Sequence, residues 1–223
     1  MHIVALLLVF SVTIGSCYST PVNDNENSAI MNSKDILAMV RQNDLAGVEA
    51  ALKAGVSVNT TDNGKRNLLL IAVNNHLTEM AILLVRYKAD VNQQADNLDS
   101  PFLYAGASGQ TELVKLFITN GARFDIFNRY NGTALIPACE RGHIETVRLL
   151  ANTKGFPINH VNRLGWTGLM EAIVLGDGSK KYQEIVQILK DAGAKLDIPD
   201  HDGVKPLQHA KQKGFKEIVD ILQ

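Results

Sequence analysis

The chain has 223 residues, 22 Lys and Arg against 23 Asp and Glu, and a hydrophobic content of 46%, which suits one folded domain or solenoid of ordinary size. The near-neutral charge argues against nucleic acid as the main partner, because phosphate neutralisation needs clustered Lys and Arg. No apolar run reaches the roughly 20 residues of a membrane span.

Residues 1–19 are unlike the rest. Ile3 to Ile14 is an apolar run too short to span a bilayer, followed by small residues at Gly15, Ser16 and Ser19. This is the pattern of a secretory signal, although Met1-His2 supplies no basic residue. Two cleavage sites compete. Ile14-Gly15-Ser16-Cys17 looks like a bacterial lipobox, with a signal over 1–16 and a lipidated Cys17. Cleavage after Ser19 would release an unanchored protein. Either way the expected location is outside the cytoplasm, periplasmic or secreted, with membrane contact only through a lipid anchor at Cys17. Residues 20–33 are polar and Asn-rich and read as a linker. The only other cysteine is Cys139, so a disulfide framework and a thiolate zinc site are both excluded.

From residue 34 onward the chain repeats. Lys34, Asn67, Ser100, Thr133, Thr167 and Lys205 occupy one slot, separated by 33, 33, 33, 34 and 38 residues. Leu98 to Asp125 shows one unit complete. Ser100-Pro101 starts a helix, with a hydroxyl cap and then a proline whose missing N–H costs nothing at that position. Phe102, Ala105 and Gly106 form its narrow side, and Gly109 breaks it. A second helix carries Leu113, Val114, Leu116, Phe117 and Ile118, and Gly121 ends it where a left-handed residue is wanted. The exits agree: Gly55 to Asn59, Lys88 to Asn92, Gly121 to Asp125 and Gly193 to Asp197 are versions of one phrase, and Gly155 to Asn159 is a looser one. Lys88 replaces the helix-ending glycine and is expected to cost about 1 kcal/mol.

This unit resembles the ankyrin repeat, with its T-P-L-H-x-A start, G-H turn and G-A-D-V-N exit. The resemblance implies an all-α solenoid of about six helix–turn–helix repeats with short β-hairpin loops. Their approximate bounds are 34–61, 62–94, 95–127, 128–161, 162–199 and 200–223, the whole domain being 34–223. Each unit buries its apolar face only against its neighbours. The last fits a capping role, with Lys211, Lys213 and Lys216 on a helix pair that has no exit phrase.

Two units depart from the pattern. The fourth has Pro137 at about the fourth helical position, where it removes one backbone donor. The fifth inserts about five residues, lengthening the turn between its helices. Pro137-Ala138-Cys139-Glu140, Gly142-His143, then Gly165-Trp166-Thr167, Leu169, Glu171, Ala172 and Ile173 resemble a narrower group, small single-domain bacterial ankyrin proteins. No specific activity comes with that motif.

Chemistry is sparse. Gly176 to Lys180 has the wrong spacing for a phosphate loop. Cys139 and His143 fill ordinary repeat slots, and Asp200-His201-Asp202-Gly203 reads as turn chemistry. Neither a metal nor a cofactor is expected. In the ankyrin pattern the hairpin tips and the open side of the first helices line a concave groove. That places Tyr104, Arg129, Tyr130, Glu140, Arg141, Arg163, Trp166 and Glu171 of repeats three to five on one surface, a set rich in the residue types of binding hot spots. The expected function is a non-enzymatic, monomeric module that binds a protein partner there. The competing reading is a small-ligand or hydrolytic site, using Glu140 and Glu171 beneath the inserted Gly176–Tyr182 loop.

Overall fold

The computed structural model describes residues 33–223. They form six antiparallel helix pairs: α1 (Ser33–Arg41) with α2 (Leu45–Lys53), α3 (Leu68–Asn74) with α4 (Thr78–Arg86), α5 (Pro101–Ala107) with α6 (Thr111–Thr119), α7 (Leu135–Arg141) with α8 (Ile144–Ala151), α9 (Gly168–Val174) with α10 (Lys180–Asp191), and α11 (Pro206–Gln212) with α12 (Lys216–Leu222). The all-α solenoid expected from the repeat pattern is the fold. The export segment at 1–19, Cys17 and the linker up to residue 32 lie outside the described residues.

The repeating slot is a helix cap. Asn67, Ser100 and Thr167 accept from the backbone N–H three residues on, at 2.8, 3.2 and 3.2 Å. Each caps a short inner helix that is buried nearly all round; in α3 every residue from Leu68 to Val73 is buried. One continuous apolar core runs from Ile36 to Leu222 through all six pairs. Inner helices approach closely at Gly106, where an added Cβ would stand 2.6 Å from the Ala134 Cβ.

The fourth pair differs in a way that follows from one residue. In the second, third, fifth and sixth units, the residue four beyond the slot donates its N–H to the slot carbonyl at 2.9–3.1 Å (Ile71 to Asn67, Tyr104 to Ser100, Glu171 to Thr167, His209 to Lys205). Pro137 occupies that place in the fourth and has no N–H to give. Ala134 already has helical angles (φ −60°, ψ −26°), yet α7 is hydrogen-bonded only from Leu135. The Thr133 hydroxyl is buried with no hydrogen-bond partner.

The hairpin loops close without strands. Among the described residues the sole ladder contact is an isolated bridge between Thr61 and Asn67. Each tip is a turn, sealed by one bond across five residues: Asp62 to Arg66, Ala95 to Asp99, Asn128 to Gly132, Asn162 to Trp166 and Asp200 to Val204, all at 2.9–3.0 Å. In four of them the first residue's Oδ1 also accepts two of the turn's own N–H groups, so an Asx turn replaces a ladder.

The insertion in the fifth unit is shared between its turn and its second helix. α10 has 12 residues where α4 and α6 have 9. The Tyr182 hydroxyl donates to the Glu140 carbonyl at 2.8 Å. Gly178 has φ +73° and lies against the Phe215 ring of the sixth pair.

Candidate functional site

A cavity of about 250 Å³ opens between the fourth and fifth repeats, lined by residues of their hairpin tips and of α7 and α9. Its origin is again the slot four beyond the cap. In the fifth and sixth units the tip residue and the slot residue bond to each other. Asn162 Nδ2 donates to Glu171 Oε1 at 2.9 Å, and His209 Nε2 lies 2.7 Å from Asp200 Oδ2. In the fourth unit the corresponding pair is Asn128 and Pro137. Proline's ring is compact and carries no polar group, so space remains beside both residues, and both line the cavity.

The walls are mixed. Ile136, Pro137, Leu164, Leu175 and the Tyr130 ring supply apolar surface, and Glu140 and Glu171 supply two carboxylates. Glu171 is only 4% exposed. Burial, helped by the neighbouring Glu140 charge and opposed by the Asn162 amide, pushes its pKa up to about 7. On the same helix as Glu140, the Cys139 thiol is buried and held strongly in its neutral form by that burial, with Glu171 adding to the effect. Such a thiol packs and does not react. The remaining neighbours are engaged elsewhere: His209 of α11 with Asp200, and the Tyr182 hydroxyl of α10 with the Glu140 backbone.

Three of the eight groove residues meet at this cavity: Tyr130, Glu140 and Glu171. The other five lie outside its lining. Arg129 sits over the Tyr130 ring, 5.0 Å from its centre, and 3.7 Å from Asp99. Arg141 donates to the Ala107 carbonyl at 2.7 Å, and Arg163 donates to the Arg129 carbonyl at 3.0 Å. Both therefore tie one repeat to the one before it. Trp166 is half-buried at the base of the fifth hairpin, and Tyr104 is half-buried on α5. The position four beyond the cap, on the side of the first helices expected to be open, is half closed: Ile71, Pro137 and Glu171 are buried, Tyr104 and His209 partly buried, and Ala38 exposed. The tip residues fold over it, which the pattern of helix faces alone does not reveal.

Sequence reasoning passed over Asn128, Asn162 and Leu175, and it placed Leu164 at a hairpin tip without counting it among the binding residues. A signal for the first two was present. Asp62, Ala95, Asn128, Asn162 and Asp200 each stand five residues before the cap slot and share its spacing.

Against known proteins, a family model described as "Ankyrin repeats (3 copies)" matches residues 36–128 and 102–200. The chain is 35% identical over 189 residues to the ankyrin repeat protein YahD of Escherichia coli (strain K12), covering 84% of this chain and 94% of that protein. Among solved structures it is similar to an ankyrin repeat domain from Acinetobacter baumannii AYE, with a TM-score of 0.83 and 40% identity over 86% of this chain and 97% of the other. The ankyrin repeat protein EF0377 matches with the same TM-score and coverage at 38% identity.

Proposed function

The chain belongs to the ankyrin-repeat family, whose members are generally protein-interaction modules and typically non-enzymatic, and from that premise we propose that it holds a protein segment in the concave groove of repeats three to five. One observation carries this. Of the six large hydrophobic side chains left exposed among the described residues, three line this cavity: Tyr130, Leu164 and Leu175, each about half exposed (52, 50 and 49%). Exposed apolar groups gathered at a concavity mark a binding surface, whereas scattered ones do not. Tyr130 is the central anchor, flanked by Trp166 and Tyr104. Arg129, Arg141, Arg163, Glu140 and Glu171 give the surface its polarity.

The protein acts as a monomer after export, to a periplasmic or secreted location, with residues 1–19 as its signal. The apolar run and the small residues behind it support the export reading. The mass of the mature N-terminus tells cleavage after Ser19 from lipidation at Cys17. The hydrolytic alternative is not favoured. The 176–182 loop invoked as its roof is absent from the cavity lining, and Gly178 packs on the sixth repeat instead.

The test is capture from an extracytoplasmic fraction on immobilised wild type, Tyr130→Ala and Trp166→Ala proteins. A partner retained by wild type and lost with Tyr130→Ala is the expected result. Equal capture by all three would contradict the groove assignment.

A further inference from the structure

The groove contains two carboxylates with no counter-ion, on α7 and α9, and this distinguishes it from the acidic hairpin tips. Asp62 lies 2.7 Å from Arg66 and 3.2 Å from Arg41, and Asp200 is bonded to His209. Among the described residues neither the Glu140 nor the Glu171 carboxylate has a cation within ion-pair distance; the one bond shown to either is that from Asn162 to Glu171. Glu171 is nonetheless nearly as buried as the core around it. A buried carboxylate with a single neutral donor is an expensive arrangement. It becomes favourable when a positive group arrives.

Resting on the proposed protein-binding groove, we propose that this cavity receives a lysine or arginine side chain of the partner, its cationic head between Glu140 and Glu171 and its alkyl stem along Tyr130, Pro137 and Leu164. The chemistry of the walls selects this occupant over others. A wholly apolar side chain would strip water from two carboxylates and return nothing to them. An acidic or phosphorylated segment would be repelled. A bare metal ion would want oxygen ligands, yet Asn162 turns its amide nitrogen to Glu171 and spends its oxygen on the N–H groups of Leu164 and Trp166. A long side chain with an apolar stem and a charged end matches both surfaces at once. Tyr130 and its overlying Arg129 stand at the hairpin tip, leaving the acids as the attractive centre.

The test is selection of displayed random linear peptides on the immobilised chain at pH 8, followed by affinity measurement. Four proteins are compared: wild type, Glu171→Gln, Tyr130→Ala, and Glu145→Gln as a remote carboxylate control, each with its helix content checked by circular dichroism. The expected result is that enriched peptides share a Lys or Arg at one fixed position beside an apolar residue. Glu171→Gln then weakens them on the order of tenfold or more, and Glu145→Gln does not. Replacing the shared basic residue by norleucine weakens binding to wild type by a similar factor and has little further effect on Glu171→Gln. Peptides that bind through Tyr130 but share no basic residue, or a norleucine penalty that is equal in both proteins, would overturn this inference and leave the groove assignment standing. Failure to enrich any peptide that Tyr130→Ala releases would overturn both.

Discussion

Glu171 makes the stability of the fifth repeat depend on pH, with a definite sign. Its folded pKa is raised from the ordinary 4.5 to about 7. Between those values the folded chain holds a proton that the unfolded chain has released. The stabilising effect is complete below the unfolded pKa and is lost as pH rises through the folded one. The full shift corresponds to about 3 kcal/mol; because the carboxylate borders an open cavity, roughly 1–3 kcal/mol is expected. Glu171→Gln keeps the oxygen that accepts from Asn162 and removes the charge. Urea unfolding should show it more stable than wild type at pH 8 and indistinguishable near pH 4. Lys88 is a second local cost. It holds φ +67° at the exit slot, where Gly55, Gly121, Gly155 and Gly193 have φ between +80° and +95° and no atom within 4 Å of an added Cβ. The glycines are there for backbone freedom alone, so Lys88→Gly should raise stability by about 1 kcal/mol in the same measurement. The Lys88 defect is visible in the sequence. The state of Glu171 is not, because its burial depends on a tip residue nine positions away folding back over it.

Consecutive repeats are stitched together by their exit loops, and one stitch is missing. Asn59 accepts from the Asp90 N–H, Asn92 from that of Arg123, and Asn159 from that of Lys195, each at 2.8 Å. Asn92 also donates to the Gly121 carbonyl at 2.9 Å. Between repeats three and four the residues in these places are Asp125 and Pro157. Proline offers no N–H, and Asp125 turns instead to Arg123, at 2.8 and 3.0 Å. Aromatic contact crosses this joint in its place: the Phe124 and Phe156 rings lie 5.0 Å apart, and those of Phe127 and His160 stack at 4.3 Å. Thermal or urea unfolding should therefore separate two similar substitutions. Asn92→Ala loses two bonds between repeats and should cost about 1–2 kcal/mol, whereas Asp125→Ala loses an exposed ion pair within one loop and should stay within about 0.5 kcal/mol. Equal costs would show that the exit-loop bonds do not contribute. The exit phrases were legible as a repeating motif. What each asparagine bonds to became clear only once the next loop was aligned beside it.

Across the molecule, the slot spacing, the caps and the glycine exits were enough to read a helical solenoid, because each unit repeats the same local chemistry and stability accrues between neighbours. The groove was legible in outline and not in depth. The repeat pattern places Tyr130, Glu140 and Glu171 on one side of the array, but this cavity lies beside Pro137, where no tip-to-slot pair forms, and Leu164 and Leu175 join it through the turns. The apolar rim and the unpaired carboxylates lie in those irregular units, and that is where a partner is expected. The most direct measurement is hydrogen–deuterium exchange of the full chain, alone and with its captured partner. The account predicts added protection in 128–141 and 162–175, the tips and inner helices around the cavity, with α8 and α10 unchanged except near the Tyr182 contact. Protection concentrated on the outer faces of α4, α6 and α8, with the 128–175 tips unaltered, would contradict it.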